Sequence, residues 1–137
     1  MYIVDMKYSR DPDIQNQIIE ISDRLGMVHD ISRIICIRST GSKSKRTLAR
    51  CHSMSKAVQT ALGLKAHYVI EVVSENFDRL PEEERTKTLI HELMHIPKSF
   101  GGGFKGHRVV NRISVEQMYK IYKDSFQGFG NTLILQS

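Results

Sequence analysis

Residues 89–97 read LIHELMHIP, which is the most informative pattern in this sequence. Upstream, Pro81 fits the first position of a helix, and the three glutamates that follow it complement the positive end of the helix dipole. The proline that closes the pattern cannot continue a helix, so we predict a helix over residues 81–96. On that helix His91 and His95 share one face, and they can present two imidazoles to one metal ion.

Glu92 directly follows the first histidine, close enough to act on a water at the metal without being a ligand itself. Leu89, Ile90, Leu93 and Met94 are apolar, so we expect a buried helix and a dry site. The alternative is that two core histidines flank a glutamate by chance. That arrangement would bury two imidazoles and a carboxylate without partners, which is costly. We therefore interpret HELMH as a metal site.

A catalytic zinc takes three protein ligands and keeps a fourth position for water. Two residues are candidates for the third ligand. His107 lies twelve residues after His95, past four glycines that let the chain reverse tightly and return to the metal. Glu116 lies on the last predicted helix, at a sequence distance from HELMH at which zinc peptidases supply a carboxylate ligand. We favour His107, and Glu116 remains the alternative.

The rest of the chain mixes strands and helices without a strict alternation. Apolar periodicity, β-branched runs and capping residues predict helix 12–25, strand 31–37, a partly helical segment 47–62, strand 67–73 and helix 114–126. We expect Ser114 and Gln117 to form a capping box on the last helix. The predicted fold class is α+β, a minimal domain in which a small mixed sheet packs on the active-site helix and its flanking helices.

The composition is that of an ordinary globular protein. The chain has 137 residues, a mass of 15.7 kDa, 40% hydrophobic and 26% charged residues, so we expect residues 1–137 to form one domain. No apolar run approaches the roughly 20 residues that span a bilayer, and the N-terminus shows no signal-peptide pattern, so we expect no membrane association. Two cysteines are too few for a disulfide framework, which predicts a reducing compartment and a cytoplasmic location.

Basic residues are distributed unevenly along this basic protein. The net charge is +5, the pI is about 9.3, and no acidic residue lies between Asp30 and Glu71. The basic stretch 33–65 holds the following cations: Arg33, Arg38, Lys43, Lys45, Arg46, Arg50, Lys56 and Lys65. Such a field favours an anionic partner, nucleic acid above all, although a solvated face that only aids solubility fits equally well. The sequence predicts no oligomeric state.

Three segments together carry a resemblance to a known family. They are Ala49-Arg50-Cys51-His52, Tyr68-Val69-Ile70-Glu71-Val72, and His91 to Pro97 with the glycine-rich turn and Gly106-His107 that follow. In this order they resemble the SprT/Spartan-like zincins, and more specifically the small metallopeptidases of archaea and phages with an HELLHIP-type helix. The resemblance covers residues 48–122. HExxH alone is shared by many peptidases, whereas the combination is more specific.

The resemblance implies a zincin-like fold and a zinc-dependent metallopeptidase, a hydrolase. Zinc would be held by His91, His95 and His107, and Glu92 would act as general base on the activated water that attacks a peptide bond. The protein or peptide substrate would pair as an added strand with residues 68–73, taken as the edge strand above the active-site helix.

These patterns do not identify the residue that stabilises the tetrahedral oxyanion. Zincins often use a distant histidine, tyrosine or arginine for this purpose. His52, Tyr68 and Arg108 are therefore candidates for oxyanion or substrate contacts.

Two other functions compete with the peptidase. A metal-dependent nuclease would suit the basic stretch, but small three-histidine nucleases lack a glutamate directly after the first histidine and place the third histidine sooner. A non-catalytic, zinc-containing nucleic-acid-binding module would close the fourth coordination position, for example with Glu116.

Overall fold

The computed structural model describes residues 5–27 and 30–136, with side chains up to residue 127, and the fold is α+β as expected. The described strands form one sheet: β1 Lys7–Arg10, β2 Ile34–Thr40, β3 Ala49–His52 and β4 Tyr68–Val73. The described helices are α1 Pro12–Arg24, α2 Lys56–Leu62, α3 Ser74–Phe77, α4 Glu82–Met94 and α5 Arg112–Gln136. None of these helices is long and apolar enough to cross a membrane.

The two helices with the strongest local signals form close to where the sequence predicts them. α4 starts directly after Pro81, carries glutamates in its first turn and ends just before the proline of HELMHIP. α1 starts after Asp11, whose side chain accepts a hydrogen bond from the Ile14 N–H at 3.0 Å. Capping of this kind depends on neighbouring residues only, which is why these predictions are confirmed.

The sheet has the order β1-β2-β4-β3, with β2 and β4 parallel and the other neighbours antiparallel. The expectation that residues 68–73 form the edge strand is therefore wrong, because β4 lies in the interior of the sheet. β3 is the edge strand, and it packs against α4. The physical reason lies in β4 itself: Tyr68, Ile70 and Val73 are fully buried, as an interior strand covered on both faces requires.

The segment 47–62 contains a strand before its helix, whereas the sequence predicts a partly helical segment. β3 forms by antiparallel pairing with β4, with Arg50 opposite Glu71. The β3 residues alternate between apolar and polar, but the segment has only four residues and none is β-branched or aromatic, so tertiary pairing more than local propensity makes it a strand. α2 follows after Ser55, whose hydroxyl accepts from the Val58 N–H at 3.2 Å.

Three other features differ from the prediction. A 3₁₀ turn, Ile31–Arg33, precedes β2. β1 is an additional strand that is polar and exposed, so it has no apolar alternation from which it could be predicted. α5 begins two residues before the predicted start, capped reciprocally by Asn111 and Ser114. The Asn111 side chain accepts from the Ser114 N–H, and the Ser114 hydroxyl accepts from the Asn111 N–H, both at 3.0 Å. The expected Ser114–Gln117 capping box is therefore wrong.

The core lies between one face of the sheet and the helices. Its fully or almost fully buried side chains come from α1, β4 and α4: Ile14, Ile18, Ile21, Tyr68, Ile70, Val72, Leu89, Ile90 and Leu93. Burial of these apolar side chains fixes α4 against the sheet. The same packing leaves the histidine-bearing side of α4 beside β3.

The opposite face of the sheet carries a buried polar cluster centred on Glu71, which is 1% exposed. Ser39 Oγ and Arg50 Nη1 donate to Oε2 at 2.5 and 2.8 Å, and His52 Nε2 lies 2.7 Å from Oε1. Burial raises the pKa of Glu71, but the bonds from Ser39 and His52 and the Arg50 charge outweigh it and hold that pKa below its usual range. The cluster ties the edge strand to its neighbours.

We expect Glu71→Gln to lower the free energy of unfolding by about 2 kcal/mol at pH 7, because the buried carboxylate loses its charged hydrogen bonds and the Arg50 charge, which is 35% exposed, then faces a neutral amide. The pKa of Glu71 is lowered on folding. The contribution of Glu71 to the free energy of unfolding is therefore complete above the ordinary pKa of 4.5, and it is lost as the pH falls through the folded-state pKa. In urea unfolding at pH 3, the difference in the free energy of unfolding between wild type and variant should be smaller than at pH 7.

The matched control is Glu20→Gln, which breaks only the exposed α1 pair with Arg24 and should cost less than about 1 kcal/mol at pH 7. If Glu71→Gln lowered the free energy of unfolding equally at pH 7 and pH 3, the stabilising role of the Glu71 charge would be contradicted.

Candidate metal centre

Three histidines meet at the surface of α4. His91 and His95 come from the helix, and His107 comes from the loop between α4 and α5. One ring nitrogen from each lies within 4.8 Å of the others, and the Nε2 atoms of His91 and His95 are 3.1 Å apart. The two helix histidines are partly buried, while His107 is exposed. The structure thus brings together the two histidines of HELMH and the favoured third candidate.

The orientation of the His95 ring is fixed by a hydrogen bond from the ring nitrogen that faces away from His91. Its Nδ1 donates to the Lys105 carbonyl at 2.5 Å, which leaves the lone pair on Nε2 facing His91. For His91, burial and the neighbouring His95 and His107 rings lower the pKa, which favours the neutral imidazole. Three imidazole nitrogens within 4.8 Å of one another form a donor set suited to a divalent transition metal such as zinc.

Glu92 lies beside this cluster as a buried carboxyl group. It is 7% exposed, and no described residue donates a hydrogen bond to it. Burial raises the pKa of Glu92 to about 7. A carboxyl group without a partner next to three ring nitrogens is available for proton transfer.

Two cavities of about 500 and 440 Å³ share Ala49, His91 and Glu92, so they form one continuous groove across the histidine cluster. We call this the groove. At one end it is lined by Leu48, Glu84, Lys87, Thr88, Arg112 and Glu116. At the other end it is lined by Cys51, Phe104, Lys105 and Gly106. The edge strand β3 borders the groove along its length.

The loop that carries His107 is anchored by Tyr68. The Tyr68 hydroxyl donates to the Gly103 carbonyl at 2.7 Å and accepts from the Gly102 N–H at 2.9 Å. Gly102 has a φ of +103°, and a Cβ there would lie 2.6 Å from the Met54 carbonyl oxygen. Only glycine therefore fits this position. Tyr68 is fully buried, and the structure places its hydroxyl against the loop and not in the groove.

The other sequence candidates lie apart from the histidine cluster. Ala49 and Cys51 line the groove, so the alternation of β3 directs Arg50 and His52 to the opposite face, where His52 binds Glu71. Glu116 lines the far end of the groove, and its Oε1 lies 2.8 Å from Lys87 Nζ.

Arg108 lies in the exposed turn that follows His107. Its carbonyl accepts from Asn111 Nδ2 at 3.2 Å, and no described carboxylate pairs with its guanidinium.

The family model described as "Putative phage metallopeptidase" matches residues 6–129. The chain belongs to this family. Comparison with curated proteins and with solved structures gives no match. Membership supports metallopeptidase activity, which implies a metal ion and a protein or peptide substrate. It agrees with the resemblance to small phage metallopeptidases, whereas the likeness to SprT/Spartan-like zincins stays a prediction.

Sequence reasoning missed several residues that shape the groove. The sequence predicts an oxyanion or substrate contact for Tyr68, whereas its hydroxyl anchors the loop, a role without a sequence signal because the partners of the hydroxyl are backbone groups. The Lys105 carbonyl that orients His95 has no sequence signal for the same reason. Ala49 and Cys51 line the groove because β3, and not β4, is the edge strand.

We expect Tyr68→Phe to weaken metal binding about tenfold, because the loop that presents His107 loses both hydroxyl contacts. A chelator competition assay with zinc measures this, and urea unfolding should show a loss of only about 1–2 kcal/mol. The matched control is Tyr8→Phe, since Tyr8 is 58% exposed and its hydroxyl contacts only the Met6 sulfur among described residues. Equal zinc affinity in the two variants would refute the anchoring role.

Proposed function

We propose that this chain is a zinc-dependent peptidase that hydrolyses peptide bonds in the groove. The observation that carries the proposal is the convergence of three imidazole nitrogens beside the buried, unpartnered carboxyl group of Glu92. Family membership supports the same activity class. The two described cysteines are free thiols, in line with a reducing, cytoplasmic setting.

In this proposal His91, His95 and His107 hold the metal through one ring nitrogen each. When bound, zinc polarises a carbonyl group and lowers the pKa of water at the site. Glu92 takes the proton from the attacking water and passes it to the leaving amine. Burial suits Glu92 to this role, because a raised pKa makes its carboxylate a stronger proton acceptor.

We propose that β3 binds the substrate as an added antiparallel or parallel strand. Its outer backbone edge has no partner strand among the described residues, and Ala49 and Cys51 face the groove. A peptide that pairs there passes the histidine cluster with its backbone held straight.

The structure bears on the oxyanion candidates through their existing bonds. His52 and Tyr68 are engaged with Glu71 and with the glycine-rich loop, respectively. Arg108 is the candidate whose charged group has no described partner, so we propose it for oxyanion or substrate contact.

The competing functions have less support. A nuclease or nucleic-acid-binding module would draw on the basic stretch, but three of its arginines are already paired with carboxylates. A structural zinc would need a fourth ligand, and Glu116 instead pairs with Lys87. We also propose that residues 1–137 form one domain.

Elemental analysis of untagged protein should find about one zinc per chain in the wild type and in Glu116→Ala, and none in His107→Ala. His107 is part of the nitrogen cluster, whereas Glu116 is bonded to Lys87. The reverse pattern would assign the third ligand to Glu116. No zinc in the wild type after reconstitution would remove the basis of the proposal.

We expect Glu92→Gln to keep its zinc and to lose turnover by a factor of about 100 to 10,000, since the amide cannot accept the proton. Peptide cleavage and zinc content are measured together. The matched control is Glu82→Gln in the exposed first turn of the same helix, which should keep both. A zinc-loaded Glu92→Gln with full activity would exclude Glu92 as the base.

A further inference from the structure

The basic stretch of the sequence divides in space into paired and unpaired cations. The paired arginines are Arg33 with Asp30, Arg38 with Asp11 and Asp78, and Arg50 with Glu71. Lys43, Lys45 and Arg46 differ, because all three are exposed and pair with no carboxylate in the described part of the chain. They lie within residues 41–48, which connect β2 to β3 and which we call the basic loop.

Contacts that do not involve these cations hold the shape of the basic loop. Glu75 Oε1 accepts from two backbone N–H groups at its start, at 2.6 and 3.0 Å. Asn76 Nδ2 donates to two loop carbonyls further on, at 2.9 and 2.8 Å. The three cations therefore repel one another without supporting the loop. A fixed loop that displays unpaired like charges is prepared for an anionic partner.

The basic loop leads directly to the groove. Leu48, its last residue, and Ala49, the first residue of β3, both line the end of the groove that contains Arg112. Two trans peptide bonds keep the Arg46 Cα within about 7.6 Å of the Leu48 Cα. The three cations do not line the groove itself, so they are within reach of a peptide only where it pairs with β3 and continues past Leu48.

On the helix side of this end of the groove, acids outnumber cations. Lys87 lies within 3.5 Å of carboxylate oxygens of Glu83, Glu84 and Glu116, so three carboxylates share one ammonium group. Arg112 is exposed and has no described ion-pair partner. The unpaired positive charge thus lies on the basic loop and at Arg112, while the α4 side of the groove is acidic.

We propose that the basic loop selects substrates with acidic residues on the side of the cleaved bond that points towards Leu48. The inference rests on the proposed peptidase function and adds a substrate class to it. Nucleic acid is the less suitable partner, because three cations on one short loop can neutralise only about three phosphates, and non-specific affinity grows with the number neutralised. An extended acidic peptide needs only the few ion pairs that the loop offers.

Binding is measured first, in the Glu92→Gln background, by fluorescence anisotropy at low salt. The probes are an acidic dodecapeptide, the same peptide with Gln and Asn in place of its acids, and a labelled oligonucleotide. We expect the acidic peptide to bind about tenfold more tightly than its neutral analogue. The triple variant Lys43→Gln/Lys45→Gln/Arg46→Gln should lose this difference, and Lys56→Gln/Lys65→Gln/Lys120→Gln, with the same charge change at other exposed sites, should keep it.

If both triple variants lost the preference for the acidic peptide equally, net charge alone would explain that preference, and the proposal would be overturned. Tighter binding of the oligonucleotide than of the acidic peptide would overturn it in favour of a nucleic-acid surface.

Cleavage of a peptide library by the zinc-loaded wild type separates the two proposals. We expect acidic residues to be enriched on one side of the cleaved bonds, and the enrichment to disappear in the basic-loop variant. Cleavage without any such enrichment would overturn the loop proposal and leave the peptidase intact. No cleavage at all would count against the peptidase, while the binding comparison would still decide the preference of the loop.

Discussion

The groove depends on a two-point connection between the end of α4 and the loop that returns past it. The His95 ring donates to the Lys105 carbonyl, and the Lys105 N–H donates to the His95 carbonyl at 2.8 Å. His95 therefore supplies a ring nitrogen to the cluster and also holds the loop segment at Lys105, which leads to His107. Because His107 is only two residues beyond this connection, its position is coupled to the orientation of His95.

The parts of this arrangement that depend on neighbouring residues could be predicted from the sequence. Prolines and glutamates define α4, and helix periodicity alone places His91 and His95 on one face. The position of His107 depends also on Tyr68, which is distant in sequence, bonds to backbone groups of the loop through its hydroxyl and packs its ring against Phe100 and Phe104. No pattern of residue types records such a contact, so the anchor could be found only in the structure.

Two features of the structure depend on contacts between residues that are distant in sequence. The basic stretch contains no acid, and the partners of Arg38 come from residues 11 and 78. β3 is too short to indicate a strand by itself, and it becomes one because β4 offers it a free edge. Once β3 occupies that edge, β4 is interior, and the partner strand for a substrate changes accordingly.

The shortness of β3 limits what the groove can engage. Four residues present about 13 Å of strand edge. A segment that pairs with it must have unsatisfied N–H and C=O groups over that length, and segments inside helices or sheet interiors do not have them. Under the proposed function, a well-folded protein would be resistant until one of its segments opened locally, so cleavage would report first on the conformational state of the target and only then on its sequence.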